Sequence, residues 1–319
     1  MSLDNLDAYD ERESLLAECE QLAERLPVWT QRDTLTWRIV SYRQRGDFDA
    51  VTELVASYRT LLEPLGLAHP VVLWGADAAR AVDQGRFGDG HRLLEAYGDA
   101  AQRMEVSRLV IGACESWALL WAGDAAGYRA SLERYPAAAA PLLACYPLRA
   151  IQALLEDDVP AARAAYEEWR ALRPFAPASF RAHVSAVATY PAWRSGDADG
   201  AAWLLEGLLP HAGRWLTIGP ADPSGPADIH IGVNHLTRGD LPAAEAALRA
   251  GLAQASAAQA HAHETVALFH LADALAQRGE ADASAALAAR SRDQAERLGM
   301  NLVLDDLRRI GLTASTRAE

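Results

Sequence analysis

The chain has 319 residues, and thirty basic against forty-three acidic side chains give a formal net charge of −13, with half of the residues hydrophobic. That balance excludes a disordered chain and leaves material for a large core, in two ordinary domains or one elongated array. All thirty basic residues are Arg, which excludes a Lys Schiff base and the Lys-dependent phosphate loop.

Residues 1–30 predict an N-terminal capping segment with a helix near 10–26. From residue 31 one unit recurs: a helical run, a Gly-Asp turn followed by Ala, and a second run. The turns fall at Gly46, Gly85, Gly123, Asp157, Gly196, Gly239 and Gly279, with spacings of 39, 38, 34, 39, 43 and 40 residues. A period in that range marks a helical solenoid. Gly ends one helix in a left-handed conformation, and Asp accepts from the free N–H groups of the next. Pro160 and Pro242 fit a first helical turn, where no donor is needed.

The expected helix pairs are 31–44 with 48–62, 70–84 with 88–102, 106–121 with 125–134, and 141–155 with 159–171. They continue as 179–194 with 198–211, 226–237 with 241–257, and 261–277 with 281–298, closed by a short cap at 301–311. Residues 312–319 read as a disordered tail. Apolar residues such as Leu241, Ala244, Leu248 and Leu252 recur at three- and four-residue steps, and no stretch alternates with period two. The expectation is an all-α, right-handed superhelix of about seven hairpins over 31–311, with essentially no sheet. One irregular linker, Gly213 to Pro226, reads as a spacer between repeats; its length also makes it a place where function concentrates.

The acidic balance, with Arg spread among Asp and Glu, argues against a nucleic-acid partner. Cys19, Cys114 and Cys145 lack C-x-x-C spacing and read as buried reduced thiols of a cytoplasmic protein. The acidic N-terminus is not a signal peptide, and no apolar run is long enough to span a membrane.

The Gly-Asp turns, the Ala after them and Gly232 within its helix resemble tetratricopeptide-type repeats, in units longer than 34 residues. The run Leu204 to Arg214, Gly219-Pro220, Gly239 to Ala246 and Arg297-Leu298-Gly299-Met300 are similar to the helical-repeat region of large bacterial ATP-binding transcriptional regulators and cyclase-linked ATPases. The resemblance implies a module that senses an inducer or a protein partner. The ATPase, cyclase and DNA-binding modules of that family have no counterpart here. The chain is then either a fragment of a longer protein or a free-standing sensor.

Candidate chemistry is sparse. His263-Glu264-Thr265-Val266-Ala267 begins like the zinc motif H-E-x-x-H, but Ala267 replaces the second ligand, so no metal is expected. No cofactor motif is present. Ser224 lies in Asp-Pro-Ser-Gly-Pro, which lacks the spacing of a nucleophile elbow. Counting back from the turns places His230, His270 and Asp273 on the concave surface, with Trp117, His183, Tyr190 and Trp193 from earlier repeats. Asn234 follows His230 by four and shares its face. These eight residues form the candidate ligand-binding set, because aromatic rings with convergent polar groups line small-molecule pockets. The expected function is recognition of a small molecule or a peptide or protein partner in the concave groove, with no catalytic residue assigned. The alternative is a secondary-metabolism enzyme using a His–Asp pair for acid–base work. Self-association into a homodimer through a solenoid end is a further possibility.

Overall fold

The computed structural model describes residues 9–22, 25, 27–65, 71–101, 105–134, 146–176 and 180–312. Sixteen α-helices occupy them, packed in sequential antiparallel pairs. Helix α1 (Tyr9–Gln21) lies on the first pair, α2 (Val28–Arg45) with α3 (Phe48–Leu62). Next come α4 (Val71–Asp83) with α5 (Phe87–Ala101), and α6 (Glu105–Ala122) with α7 (Ala125–Glu133). The middle pairs are α8 (Leu148–Leu155) with α9 (Val159–Leu172), and α10 (Arg181–Ser195) with α11 (Ala198–Leu208). The last are α12 (Ala227–Thr237) with α13 (Leu241–Ala257), and α14 (His261–Gln277) with α15 (Ala281–Leu298), capped by α16 (Asn301–Arg309). Expected helix over 141–145 and the expected tail over 313–319 fall outside the described residues. Leu312 is held in place, since its carbonyl accepts from Arg292 Nη2 at 2.9 Å.

The turn chemistry explains why the pairs form where they do. Six of the seven turn positions are Gly with φ between 65° and 81°, and Asp157 occupies the seventh at φ 58°. Asp47, Asp124, Asp158, Asp197 and Asp240 each accept from the backbone N–H three residues on, satisfying a donor the helix start leaves free. The last turn differs: Glu280 makes no such side-chain bond.

Stacking along the sequence is only half of the packing. Helix α14 also meets α4, and α16 meets α6, so the end of the array packs back against its beginning. Asn301 Nδ2 donates to the Ala122 carbonyl at 3.0 Å across this seam. One core cluster unites Val82, Cys114, Trp121, Phe269, Met300, Val303 and Leu307 from both halves. Among the described residues, no helix is long and apolar enough to cross a membrane. Cys114 is buried, which pushes its thiol up, whereas Cys19 is only half-buried and Cys145 lies outside the described residues.

The Asp240 cap is exposed, and its second carboxylate oxygen lies 3.5 Å from His235 Nδ1. Asp240→Ala should lower unfolding stability by about 1 kcal/mol, read as a shift in urea midpoint without a change in slope.

Candidate functional site

The 213–226 linker does not behave as a surface spacer. Trp215, Leu216, Ala221, Asp222 and Ser224 are all buried. Trp215–Leu216 and Gly225–Pro226 pair as a minimal antiparallel ribbon, the one strand pair among the described residues. The linker is thus an internal element and not a plain spacer between repeats, while the expected near-absence of sheet is interrupted only by these four residues among those described. The linker is apolar enough to fill the space between the two ends of the array, and small residues let it in. A Cβ on Gly46 would stand 2.6 Å from Trp215 Nε1, and one on Gly75 would stand 2.4 Å from Ala221 Cβ. A buried loop must have its polar backbone satisfied. Here the Ile218 N–H donates to Asp222 Oδ2 at 3.0 Å, and the Gly213 N–H donates to Asp228 Oδ2 at 2.7 Å.

Charged side chains fix this plug. Arg43 of α2, only 1% exposed, donates to Asp83 Oδ2 of α4 at 2.7 Å and, through Nε and Nη2, to the Asp222 carbonyl at 3.2 and 3.0 Å. The other Asp83 oxygen meets His263 Nε2 of α14 at 3.0 Å. The His263 ring packs edge-on against Trp121 and Trp215, with centroids 4.9 and 5.4 Å away. Two early helices, a late helix and the plug thus share one ion cluster.

A second cluster joins the plug to α10 and α12. Ser224 Oγ donates to Asp222 Oδ1 at 2.7 Å and lies 2.9 Å from His183 Nδ1, which is 3.0 Å from Asp222 Oδ2. Burial pushes the Asp222 carboxyl up, but His183, Ser224 and the Ile218 N–H outweigh it and hold the group below its usual range. Ser, His and Asp are all present, yet the geometry is not that of a nucleophile relay. A relay sets the carboxylate and the hydroxyl on opposite ring nitrogens; here both lie on Nδ1. The cluster anchors the loop.

Beside the plug, α6, α10, α12, α14 and α16 line a partly open cavity of about 60 Å³. Its walls are mainly apolar, with Trp117, Trp121, Tyr190 and Phe269 as the rings and His230 and His270 as polar members. Burial depresses His230 to about 4, against the raising effect of the Ser224 carbonyl and reinforced by His263 and His183. Burial, then the proximity of His230, takes His270 to about 3. Both rings are therefore neutral near pH 7. His230 Nε2–H donates to the Ser224 carbonyl at 2.8 Å, which leaves its Nδ1 as an acceptor. His270 is 5% exposed, and its Nδ1 has no hydrogen-bond partner among the described residues.

Of the eight candidate residues, Trp117, Tyr190, His230 and His270 line this one cavity. Trp193 stands edge-on to His270, with centroids 4.8 Å apart, and donates from Nε1 to Asp273 Oδ2 at 3.3 Å. Asp273 also accepts from Gln277 and bonds no histidine among the described residues. Asn234 lies behind the wall, donating to Thr189 Oγ1 and to the His230 carbonyl. His183 sits in the plug cluster instead. Sequence reasoning missed Phe269, Val266 and Asp306 in the wall, and the whole Arg43–Asp83–His263 cluster. The Trp, Leu and Ile residues in a Pro/Gly-rich loop were the available signal that the linker is internal. Among the described residues, no group of three or more His, Cys, Asp or Glu side chains is placed to hold a metal. Protein-family models, curated proteins and solved structures contain no match to this chain.

Two outcomes follow from these geometries. Asp83→Ala strands a buried guanidinium and should cost about 3–5 kcal/mol. Glu206→Ala, which removes the exposed partner of Arg181, should cost under about 1 kcal/mol in the same urea titration. The neutral histidines set a pH dependence. Their folded values lie below the ordinary 6.5, so the unfolded chain takes up protons first as pH falls. Stability should decline from about pH 6.5 towards pH 4, by up to about 1.4 kcal/mol per pH unit for each histidine. In His270→Phe that decline should be shallower, which unfolding curves at pH 7 and pH 5 measure directly.

Proposed function

We propose that the protein is a helical-repeat receptor for a small molecule, which it holds in the interior cavity between α6, α10, α12, α14 and α16. The reading includes a right-handed, tetratricopeptide-like superhelix and a sensor or regulatory role, as the repeat turns imply. The observation that carries it is His270, a buried imidazole with an unpartnered Nδ1 among aromatic walls. Leaving such a group unsatisfied costs about 1–3 kcal/mol. A guest that hydrogen-bonds to it recovers that cost, while the rings shelter the guest's apolar part.

Size and closure favour a small molecule over a peptide. A peptide laid along the repeats needs an open inner face, and here α14 and α16 meet α4 and α6 across it. The acid–base alternative lacks its pair, because neither cavity histidine bonds a carboxylate among the described residues. A cavity of about 60 Å³ admits a few waters or a slender group; an engineered cavity of about 150 Å³ is what holds a benzene ring.

Native mass spectrometry of the protein, before and after incubation with extract of its source cells, tests the reading. The expected result is a discrete small adduct that disappears on denaturation and is lost in Leu302→Trp, which fills the cavity wall. A clean apo mass in both samples would sink it.

A further inference from the structure

A second void adjoins the first. It is an open basin of about 450 Å³ lined by Gly123, Leu154, Asp157, Arg194, Arg308 and Arg309 among others. Leu302 and Asp306 belong to the walls of both voids. The two spaces are thus separated by one short stretch of α16.

The charges at that partition are unequal. Asp306 is buried, and its Oδ1 receives both Arg194 Nη1, at 3.2 Å, and Arg309 Nη2. One carboxylate faces two guanidiniums, an excess of one positive charge. Arg194 spends the same Nη1 on the Tyr190 hydroxyl at 2.6 Å, and Arg309 lies over the Trp193 ring. Each guanidinium has five N–H donors in a planar fork, so both keep donors that these contacts do not use. Burial, followed by the like charge of Arg194, holds Arg309 below its usual value. An anion placed beside Arg309 would relieve both.

The rim limits how much negative charge fits. Asp305 pairs with Arg308 there, and Asp157 also lines the basin. The positive excess is therefore confined to the Arg194–Asp306–Arg309 floor, where one negative charge cancels it, and a second charge on a guest would face the Asp157 and Asp305 carboxylates of the rim. The inner cavity sets the opposite condition at its end: mainly apolar walls, neutral histidines and less than half the volume that holds a benzene ring.

We propose that the guest is a monocarboxylate with a slender apolar chain, its carboxylate held by Arg194 and Arg309 at the floor of the basin and its chain passing Leu302 into the inner cavity. This rests on the reading of the interior as a small-molecule site and adds its chemical class and its route of entry. The carboxylate forms charge-assisted hydrogen bonds with the spare guanidinium donors. The chain displaces cavity water, and each buried methylene adds its share of apolar burial.

Butanoate, 1-butanol and butyl phosphate are the probes, short enough for a cavity of about 60 Å³, followed by calorimetry and by the fluorescence of Trp117, Trp121 and Trp193. Butanoate should bind about tenfold more tightly than butanol, the factor one charge-assisted hydrogen bond supplies, and more tightly than the doubly charged phosphate. Arg309 is partly exposed, so Arg309→Gln should fold normally by circular dichroism. It should reduce butanoate binding to the level of butanol while leaving butanol unchanged. Asp306→Asn removes a competing carboxylate and should tighten butanoate, an opposite sign that general loosening of the fold would not produce. Equal binding of butanoate and butanol, or indifference to Arg309→Gln, overturns the carboxylate assignment and leaves the interior site standing. Absence of binding by all three probes, with unchanged tryptophan fluorescence, overturns both.

Discussion

A guanidinium carried to the centre of a protein must find a carboxylate, and Arg43 finds Asp83. What makes this pair govern the rest is where its remaining valences go. Asp83 turns its second oxygen to His263, and Arg43 donates from Nε and Nη2 to the Asp222 carbonyl. Four segments, spread in sequence from Arg43 to His263, meet at these few atoms. An isolated buried charge costs several kcal/mol, so none of these segments leaves without stranding the others. The ends of the repeat array are held together through this cluster, and the linker is held between them.

The cavity follows from the same closure. The plug brings Ser224 to His230 and fixes that ring by its carbonyl. Helix α16, packed on α6, supplies Leu302, Val303 and Asp306 to the far wall. The histidines titrate low because burial, more than any neighbouring charge, disfavours the protonated ring. A chamber with neutral polar groups inside and an Arg–Asp–Arg partition outside has opposite chemistries at its two ends. That polarity is what an elongated amphipathic guest would exploit.

Much of the architecture is legible residue by residue. The Gly-Asp punctuation places the hairpins because capping and left-handed turns are local, decided within about five residues. The boundaries at 241–257, 261–277 and 281–298 coincide with the observed α13, α14 and α15. Of the eight candidate residues picked out by helical period, half line one cavity. The linker shows the opposite. Gly219, Pro220, Pro223 and Pro226 forbid a helix, and a segment without regular structure normally runs over the surface. Burial of this one depends on Gly46 and Gly75, far away in sequence, leaving room for Trp215 and Ala221.

The sequence by itself determined an all-helical array, the position of each turn and the absence of Lys chemistry, because each of these is set by local backbone preference or by composition. Tertiary structure alone decided that the array meets itself, that Asp83 faces His263, that Asp273 bonds Trp193 and not a histidine, and that Arg194 and Arg309 share Asp306. Those outcomes depend on how small rotations between successive helix pairs accumulate along the array. No single repeat encodes that sum, and distant side chains become partners only after it is complete.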